Sequence, residues 1–486
     1  MRLITKQSQI TLVELPATQF GRLNGKLSYD EYSMITKKLP PRSLPTLIGV
    51  LLAHDYKNIK SINPIHNKNG KLSIDDWKIL YSSDVVCISA ITRTAKQSLK
   101  LAKILKENNP KIKIIFGGAH FTVKYEEALS NRADVVVLKE GEEALPEVLA
   151  TKFNYKKLSR VKGIAYKQED KIILTKPRLF LTPEQLSSIH PYYDKSLRKL
   201  TNIAVIETMR GCPYNCEQCG VTEMYGGHYR VKSIKWTIEE LKRINDIGAT
   251  IFYTADNIAG NPKHLSDLSL AIEKEGLNKK FGICQINSIS LRNPEVVKSL
   301  KRMGIKMVCV GYESMNPEFL TDIGKPCSIE DNQEAARILR EAGIWNHGMI
   351  MTGGKDTKKS LKYTLQWAIK NLDSAQFFPI GNIPGTRFDK RMREECRILC
   401  EDYSKMDGHY ALVRPENLTP YKLQRITDNM YFKFYSPLNN IRRIIKSTDK
   451  ILAIALAIYT NLARGLTKVS KSKEHSDYLK FLKSIR

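Results

Sequence analysis

Acidic residues are scarce in this chain relative to basic ones: 50 Asp and Glu stand against 78 Lys and Arg in 486 residues, a formal charge of +28. Such a field favours anionic partners, whether a nucleic acid, a phospholipid surface or a phosphorylated substrate. A Lys-rich proteome would produce part of it with no function attached. Cysteine is also sparse at nine residues, too few for a disulfide scaffold and in keeping with a reducing compartment. Long apolar runs are missing: no stretch of about 18 such residues occurs, so nothing is expected to span a bilayer. The first residues, MRLITKQSQITLVELP, lack the apolar core and small-residue cleavage site of a signal peptide. Together these absences make a cytoplasmic protein the expectation. What is present, 42% hydrophobic and 26% charged residues, is the composition of a globular chain long enough for about two to four domains.

Over residues 1–156, QITLVELP, DVVCISA, IKIIFGG and ADVVVLKEG are short apolar, β-branched runs ending in polar or glycine-containing turns. Helical stretches such as TAKQSLKLAKILKENN and KYEEALSN separate them. Strand–helix alternation with continuous apolar strands predicts a doubly wound parallel sheet covered on both faces. Ligands collect at the carboxyl ends of such strands, here Ser89 to Thr94, Gly117-Gly118-Ala119-His120 and Glu140-Gly141-Glu142. The glycine pair would let a flat ligand approach the backbone closely, or it makes only a tight turn with His120 capping a helix. Residues 157–200 read as a small hairpin and linker.

A second series fills residues 201–395. NIAVIETM, IFYTAD, KFGICQIN, MVCVGYES, WNHGMIMTG and SAQFFPIGN are its strands, separated by segments such as IEELKRINDIG, PEVVKSLKRMG and NQEAARILREAG. Six such units predict a partial (β/α)6 barrel with its site at the carboxyl ends of the strands. Residues 396–486 form a mostly helical, basic region, with twelve Lys or Arg against three acids from residue 431 onward. Its run ILAIALAIYTNLA is too short to span a membrane. It reads either as an amphipathic element in the headgroup region or as a helix packed on the barrel.

Three cysteines, Cys212, Cys216 and Cys219, follow the first barrel strand in RGCPYNCEQCG. A zinc site more often pairs C-x2-C elements or adds a histidine at the right spacing. An odd thiol count argues against disulfides. A 4Fe–4S cluster held by three thiolates fits better, leaving the fourth iron open. This stretch resembles the signature of the radical S-adenosylmethionine (SAM) superfamily, whose fold matches the barrel reached above. The resemblance implies that SAM chelates the open iron and that one electron cleaves it to methionine and a 5′-deoxyadenosyl radical, with ferredoxin or flavodoxin as electron donor. It also implies SAM-contacting roles for Asp256 in FYTADN, Asn287 in ICQINSI, Glu313 in VGYESMN and Gly353 in MIMTGGKDT, with NIPGT as a later turn. Ala255 stands where many relatives carry a second acid.

The N-terminal half, through LPPRSLPTLIGVLLAHDYKNI, GGAHFT and VVVLKEGEEALPEVL, is similar to the cobalamin-binding domain fused to one radical SAM class. It lacks D-x-H-x-x-G, the motif that supplies a histidine to cobalt elsewhere. Ser89, Thr94, Gly117, Gly118, His120 and Gly141 would line that cofactor. YGGHYRVKS with its IEEL helix most resembles enzymes acting on isoprenoid lipids and tetrapyrroles, among them hopanoid-modifying and archaeal lipid-ring enzymes. The expectation is therefore ring formation or rearrangement on a membrane isoprenoid or tetraether lipid, met peripherally at an anionic membrane surface through the basic tail. Cobalamin-dependent C-methylation is the alternative. A nucleic-acid-binding protein with a structural cluster is a further one, although no RNA-binding module is recognisable, and an inactive scaffold is another. Cys396 and Cys400 share a helical face if helical, and with Cys327 would hold a second cluster or else are ordinary thiols. Cys87, Cys284 and Cys309 read as core residues.

Overall fold

The computed structural model describes residues 4–15, 42–64, 71–193, 203–254, 257–447, 449–469 and 473–485. The chain divides into two compact units, with the boundary between Thr201 and Asn202. The first is built on β1 (Ile10–Glu14), β2 (Ile59–Ile62), β3 (Val85–Ser89), β4 (Lys113–Gly117), β5 (Val135–Val137), β6 (Ile164–Gln168) and β7 (Lys171–Leu174), ordered β2-β1-β3-β4-β5-β6-β7. The first five in that order are parallel. Alternate residues of each strand feed opposite faces. Ile10, Leu12, Val85 and Cys87 enter one core with Leu44, Ile48, Leu145 and Val148. Val13, Val86 and Ile88 enter the other with Leu101 and Leu105 of the helix Ala95–Asn108. That two-sided burial is why the strands read as unbroken apolar runs. The sheet is doubly wound, with its strand order reversing between β1 and β3. The hairpin read from residues 157–200 is no separate module: β6 pairs antiparallel with β5, and β7 with β6, extending the same sheet. Cys87 is a core thiol, pushed up to about 12 by burial.

The second unit carries six parallel strands in sequential order: β8 (Ile203–Glu207), β11 (Thr250–Thr254), β12 (Phe281–Asn287), β13 (Ile305–Glu313), β14 (Trp345–Thr352) and β15 (Ser374–Pro379). Between β8 and β11 lies a two-stranded ribbon, β9 (Met209–Arg210) with β10 (Arg230–Val231). The six strands are those expected from their apolar runs, and they form the partial barrel. Helices Pro262–Lys274, Pro294–Arg302, Ile329–Ala342 and Lys358–Asn371 follow β11, β12, β13 and β14. Tyr312 on β13 packs edge-on against Trp367 of the last of these, at 5.1 Å, so its neighbours Gly311 and Cys309 belong to the concave face.

The basic C-terminal region completes this unit. Helix Pro420–Phe434 covers the free edge of β15. Just beyond it, Tyr435 donates its hydroxyl to Ala375 O at 2.7 Å and accepts from Ala375 N at 3.0 Å. Helices Pro437–Lys446 and Lys450–Val469 then lie on the concave face near the amino ends of the strands. There Ile444, Leu452, Ala453 and Leu456 pack on Ile283, Met307 and Trp345. The apolar run of the tail is thus a helix packed on the barrel. Among the described residues no helix is long and apolar enough to cross a membrane.

Candidate active site

The three-cysteine loop leaves the ribbon at its tightest point. Gly211 has φ +90, and a Cβ there would stand 2.0 Å from His228 O. Only glycine fits where β10 returns beside β9. That return follows from YGGHYR: Gly226 and Gly227 both take positive φ after the helix Gly220–Tyr225. Tyr229 then donates its hydroxyl to Met209 Sδ at 2.7 Å. Beneath the loop, buried Glu207 accepts from Arg210 at 2.8 Å, with Lys232 Nζ 3.5 Å away.

Three connections from later strands moor the loop. Glu217 N donates to Ile323 O at 3.0 Å, Phe388 N to Glu217 O at 3.1 Å, and Arg387 Nη2 to Asn215 O at 2.5 Å. Arg391 bridges Glu217 and Asp322 at 3.2 and 2.9 Å. The thiols share one electrostatic neighbourhood. Burial pushes Cys216 up to about 11, Lys325 pulls it down, and Cys219, Glu313 and Cys212 push it up. Among the described residues no three His, Cys, Asp or Glu side chains are grouped as ligands of one metal ion. A cubane cluster takes one thiolate per iron, so its ligands stand further apart than those of a single ion. Three thiols gathered on a moored loop fit such a cluster.

Glu313 faces this loop from the end of β13. Its backbone takes φ +60 where the pairing with β14 shifts register, a conformation that a non-glycine residue holds only when its surroundings impose it. Its carboxylate pairs with Lys325 at 2.8 Å, both side chains largely buried. Burial pulls the Lys325 ammonium down, but Glu313 and Cys216 outweigh it and hold the ammonium above its ordinary value. Asn287 is buried, its Oδ1 accepting from Ile289 N at 3.1 Å. Gly353 donates its N–H to Asp356 Oδ2 at 3.1 Å, so the GGKD stretch forms a turn closed by a buried carboxylate. Asp356 is pushed up to about 6 by that burial. Asp256 and Ala255 lie outside the described residues.

Cys327 sits with Lys325 and Glu313, whereas Cys396 is exposed and Cys400 is half-buried near Tyr478 and Lys405. Among the described residues no interaction brings Cys327 to that pair. Cys284 is a core thiol and Cys309 is half-buried on the concave face rather than in the core, with both thiols pushed up by burial.

Two residues of the site carry no sequence motif. Lys325 lies twelve positions beyond Glu313, with nothing around it to mark an ion pair. His347 lies on β14 in register with Cys309 and Ser374, and Cys309 with Gln285, which makes one row across the concave face. His347 Nδ1 lies 2.8 Å from Ser374 Oγ, and burial pulls the ring down to about 4, so it is neutral at physiological pH. Period-two alternation from Gly311 was the signal available. The row below, Ile283, Met307 and Trp345, is apolar and plugged by the C-terminal helices.

In the first unit, Ser89 ends β3 within 3.4 Å of Ser43 Oγ, which donates to half-buried Glu14. Gly118 has φ +92, with no room for a Cβ 2.5 Å from Ala90 O. Thr94 spends its hydroxyl on its own turn with Ile91, and His120 is buried with Nε2 3.2 Å from Glu127. Ser89, Gly117 and Gly141 bring little or no side chain to the carboxyl edge, and Ile91 is 53% exposed just past β3. Among the described residues, that small-residue edge at the strand-order reversal fits a flat cofactor such as cobalamin.

Residues 206–368 match the radical SAM superfamily, and residues 79–149 match the B12 binding domain. An uncharacterized methyltransferase of Pyrococcus horikoshii is 27% identical over 365 residues, covering 73% of this chain and 79% of that protein. The anaerobic magnesium-protoporphyrin IX monomethyl ester cyclase of Cereibacter sphaeroides is 26% identical over 417 residues, covering 82% and 67%. Hopanoid C-3 methylase of Methylococcus capsulatus is 27% identical over 354 residues, covering 70% and 65%. The solved structure of TsrM from Kitasatospora setae, a radical SAM methyltransferase with cobalamin and a [4Fe–4S] cluster bound, has a TM-score of 0.65 at 16% identity, covering 80% of this chain and 78% of that one.

Proposed function

We propose that this chain, which matches the radical SAM superfamily over residues 206–368 and the B12 binding domain over residues 79–149, is a cobalamin-dependent C-methyltransferase acting on an isoprenoid-type lipid. Methyl transfer replaces ring formation as the leading reading. The observation that carries it is the joining, in one chain, of a moored three-thiol loop to a doubly wound sheet with a small-residue carboxyl edge. The names of two relatives, a methyltransferase and a hopanoid methylase, support it, and the second supports an isoprenoid substrate.

Cys212, Cys216 and Cys219 would ligate the cluster, and Ser89, Gly117 and Gly141 would border cobalamin. When bound, the cluster with SAM supplies a carbon-centred radical and cobalamin supplies a methyl group. The protein's own part is positioning and exclusion of water. Glu313, held by Lys325, turns a hydrogen-bond acceptor toward the thiols, suited to an amino group. The neutral His347 offers a hydrogen bond on the concave face without adding charge there. The apolar row plugged by the C-terminal helices closes the amino end of the barrel.

The test is anaerobic reconstitution with iron and sulfide followed by reduction with SAM present. The parent protein forms 5′-deoxyadenosine, and Cys216→Ala forms none. Equal rates for the two would refute the assignment of the cluster.

A further inference from the structure

Helix Pro437–Lys446 is inverted with respect to solvent. It buries Asn440 and Arg443, and it exposes Leu438, Ile441 and Ile445 at 59, 55 and 71%. The buried pair is bonded within the helices, with Arg443 Nε left without a partner among the described residues. Arg443 donates to Asn440 Oδ1 at 2.6 Å and to Phe434 O at 2.9 Å, with its guanidinium 4.3 Å from the Phe434 ring centroid. Asn440 reaches Thr460 Oγ1 on the next helix at 3.1 Å. That helix, Lys450–Val469, turns Ala453 and Leu456 to the barrel and exposes Ile451, Ile454 and Ile458 at 83, 45 and 57%. Positions 438, 441 and 445 and positions 451, 454 and 458 keep helical spacing, so each helix carries an outward apolar stripe. Single exposed apolar residues are ordinary, but one leucine and five isoleucines on one helical pair form a patch of the kind that marks an interaction surface.

The charge around the stripes selects the occupant. Lys433, Arg442, Lys446 and Lys450 flank them, all exposed and none in an ion pair with a described residue. The carboxylate between the two helices, Asp449, caps the second by accepting from Leu452 N at 2.9 Å, and Asp373 lies on the inward side near Arg443. An apolar stripe rimmed by cations matches the boundary between acyl chains and anionic headgroups. We propose that the outward face of helices Pro437–Lys446 and Lys450–Val469 docks on an anionic lipid bilayer. The surface deepens the lipid reading above, resting on it only for the route by which substrate reaches the protein. A second copy of the chain is the competing occupant.

Vesicle flotation of the full-length protein tests this, with phosphatidylcholine vesicles made with and without phosphatidylglycerol. Neither lipid is an isoprenoid and no SAM is present, so failure of the methyl-transfer reading leaves the readout untouched. The parent floats with the anionic vesicles only. Each cation near the surface contributes about fivefold to partitioning, so Lys446→Glu with Lys450→Glu lowers it by at least about 25-fold. Ile445→Asp with Ile451→Asp lowers it by at least about tenfold while leaving the melting temperature unchanged, because both side chains are exposed. The proposal is overturned if the parent ignores anionic vesicles or if either double variant floats as the parent does. It is equally overturned if light scattering shows a dimer that Ile445→Asp with Ile451→Asp dissociates.

Discussion

Glu313 and Lys325 form a buried pair whose two members are worth far more together than apart. Removing one partner of such a pair leaves a buried charge uncompensated and costs about 3–5 kcal/mol. Lys325→Met is expected to lose that much stability in chemical denaturation, and Lys325→Met with Glu313→Gln to recover most of it. An unchanged single variant would show that Glu313 has other compensation. Asp356 makes a second residue-scale prediction. Its folded-state pKa is raised, so the stability tied to its proton is present below its unfolded value and is lost as pH rises through about 6. The stability of the parent relative to Asp356→Asn should therefore fall by up to about 3 kcal/mol between pH 4 and 7, read from denaturation at each pH. A flat difference would contradict the burial argument. At this scale the sequence was partly legible. RGCPYNCEQCG marked the three thiols, whereas the demand for glycine at position 211 shows only where His228 O closes on it. Lys325 was illegible because its role arises from a fold that returns it to the cluster loop.

Among the elements, the six barrel strands and β1, β3, β4 and β5 stood out as apolar, β-branched runs because both faces of each are buried. β2 escaped notice, since KNIKSI is a short edge strand only partly buried. The hairpin over residues 157–200 was visible, but its pairing with β5 was not, because edge pairing leaves no mark in local composition. The C-terminal region read as helical, yet the inversion of helix Pro437–Lys446 could not be read, since Asn440 and Arg443 become inward residues only through Phe434 and Thr460. Tyr435 is the hinge of the covered edge. Tyr435→Phe strips Ala375 of both side-chain bonds in a buried setting and should cost about 1–3 kcal/mol in urea denaturation. No measurable loss would mean that water or helix movement replaces them.

For the molecule as a whole, the excess of 28 positive charges pointed to an anionic partner without naming one. The exposed cations beside the apolar stripes of the C-terminal helices give that excess a location. The two units each supply one cofactor fit: a three-thiol loop in one and a small-residue carboxyl edge in the other. Methyl transfer would add carbon to the substrate, whereas closing or rearranging a bond would add none. The most direct measurement is mass spectrometry of lipid extract incubated anaerobically with the reconstituted, reduced holoenzyme, cobalamin and SAM bearing a trideuterated methyl group. The expected result is an isoprenoid lipid that gains the trideuterated methyl with the parent and not with Cys216→Ala. SAM cleavage without any labelled lipid, or a lipid changed in mass only by loss of hydrogen, would contradict methyl transfer.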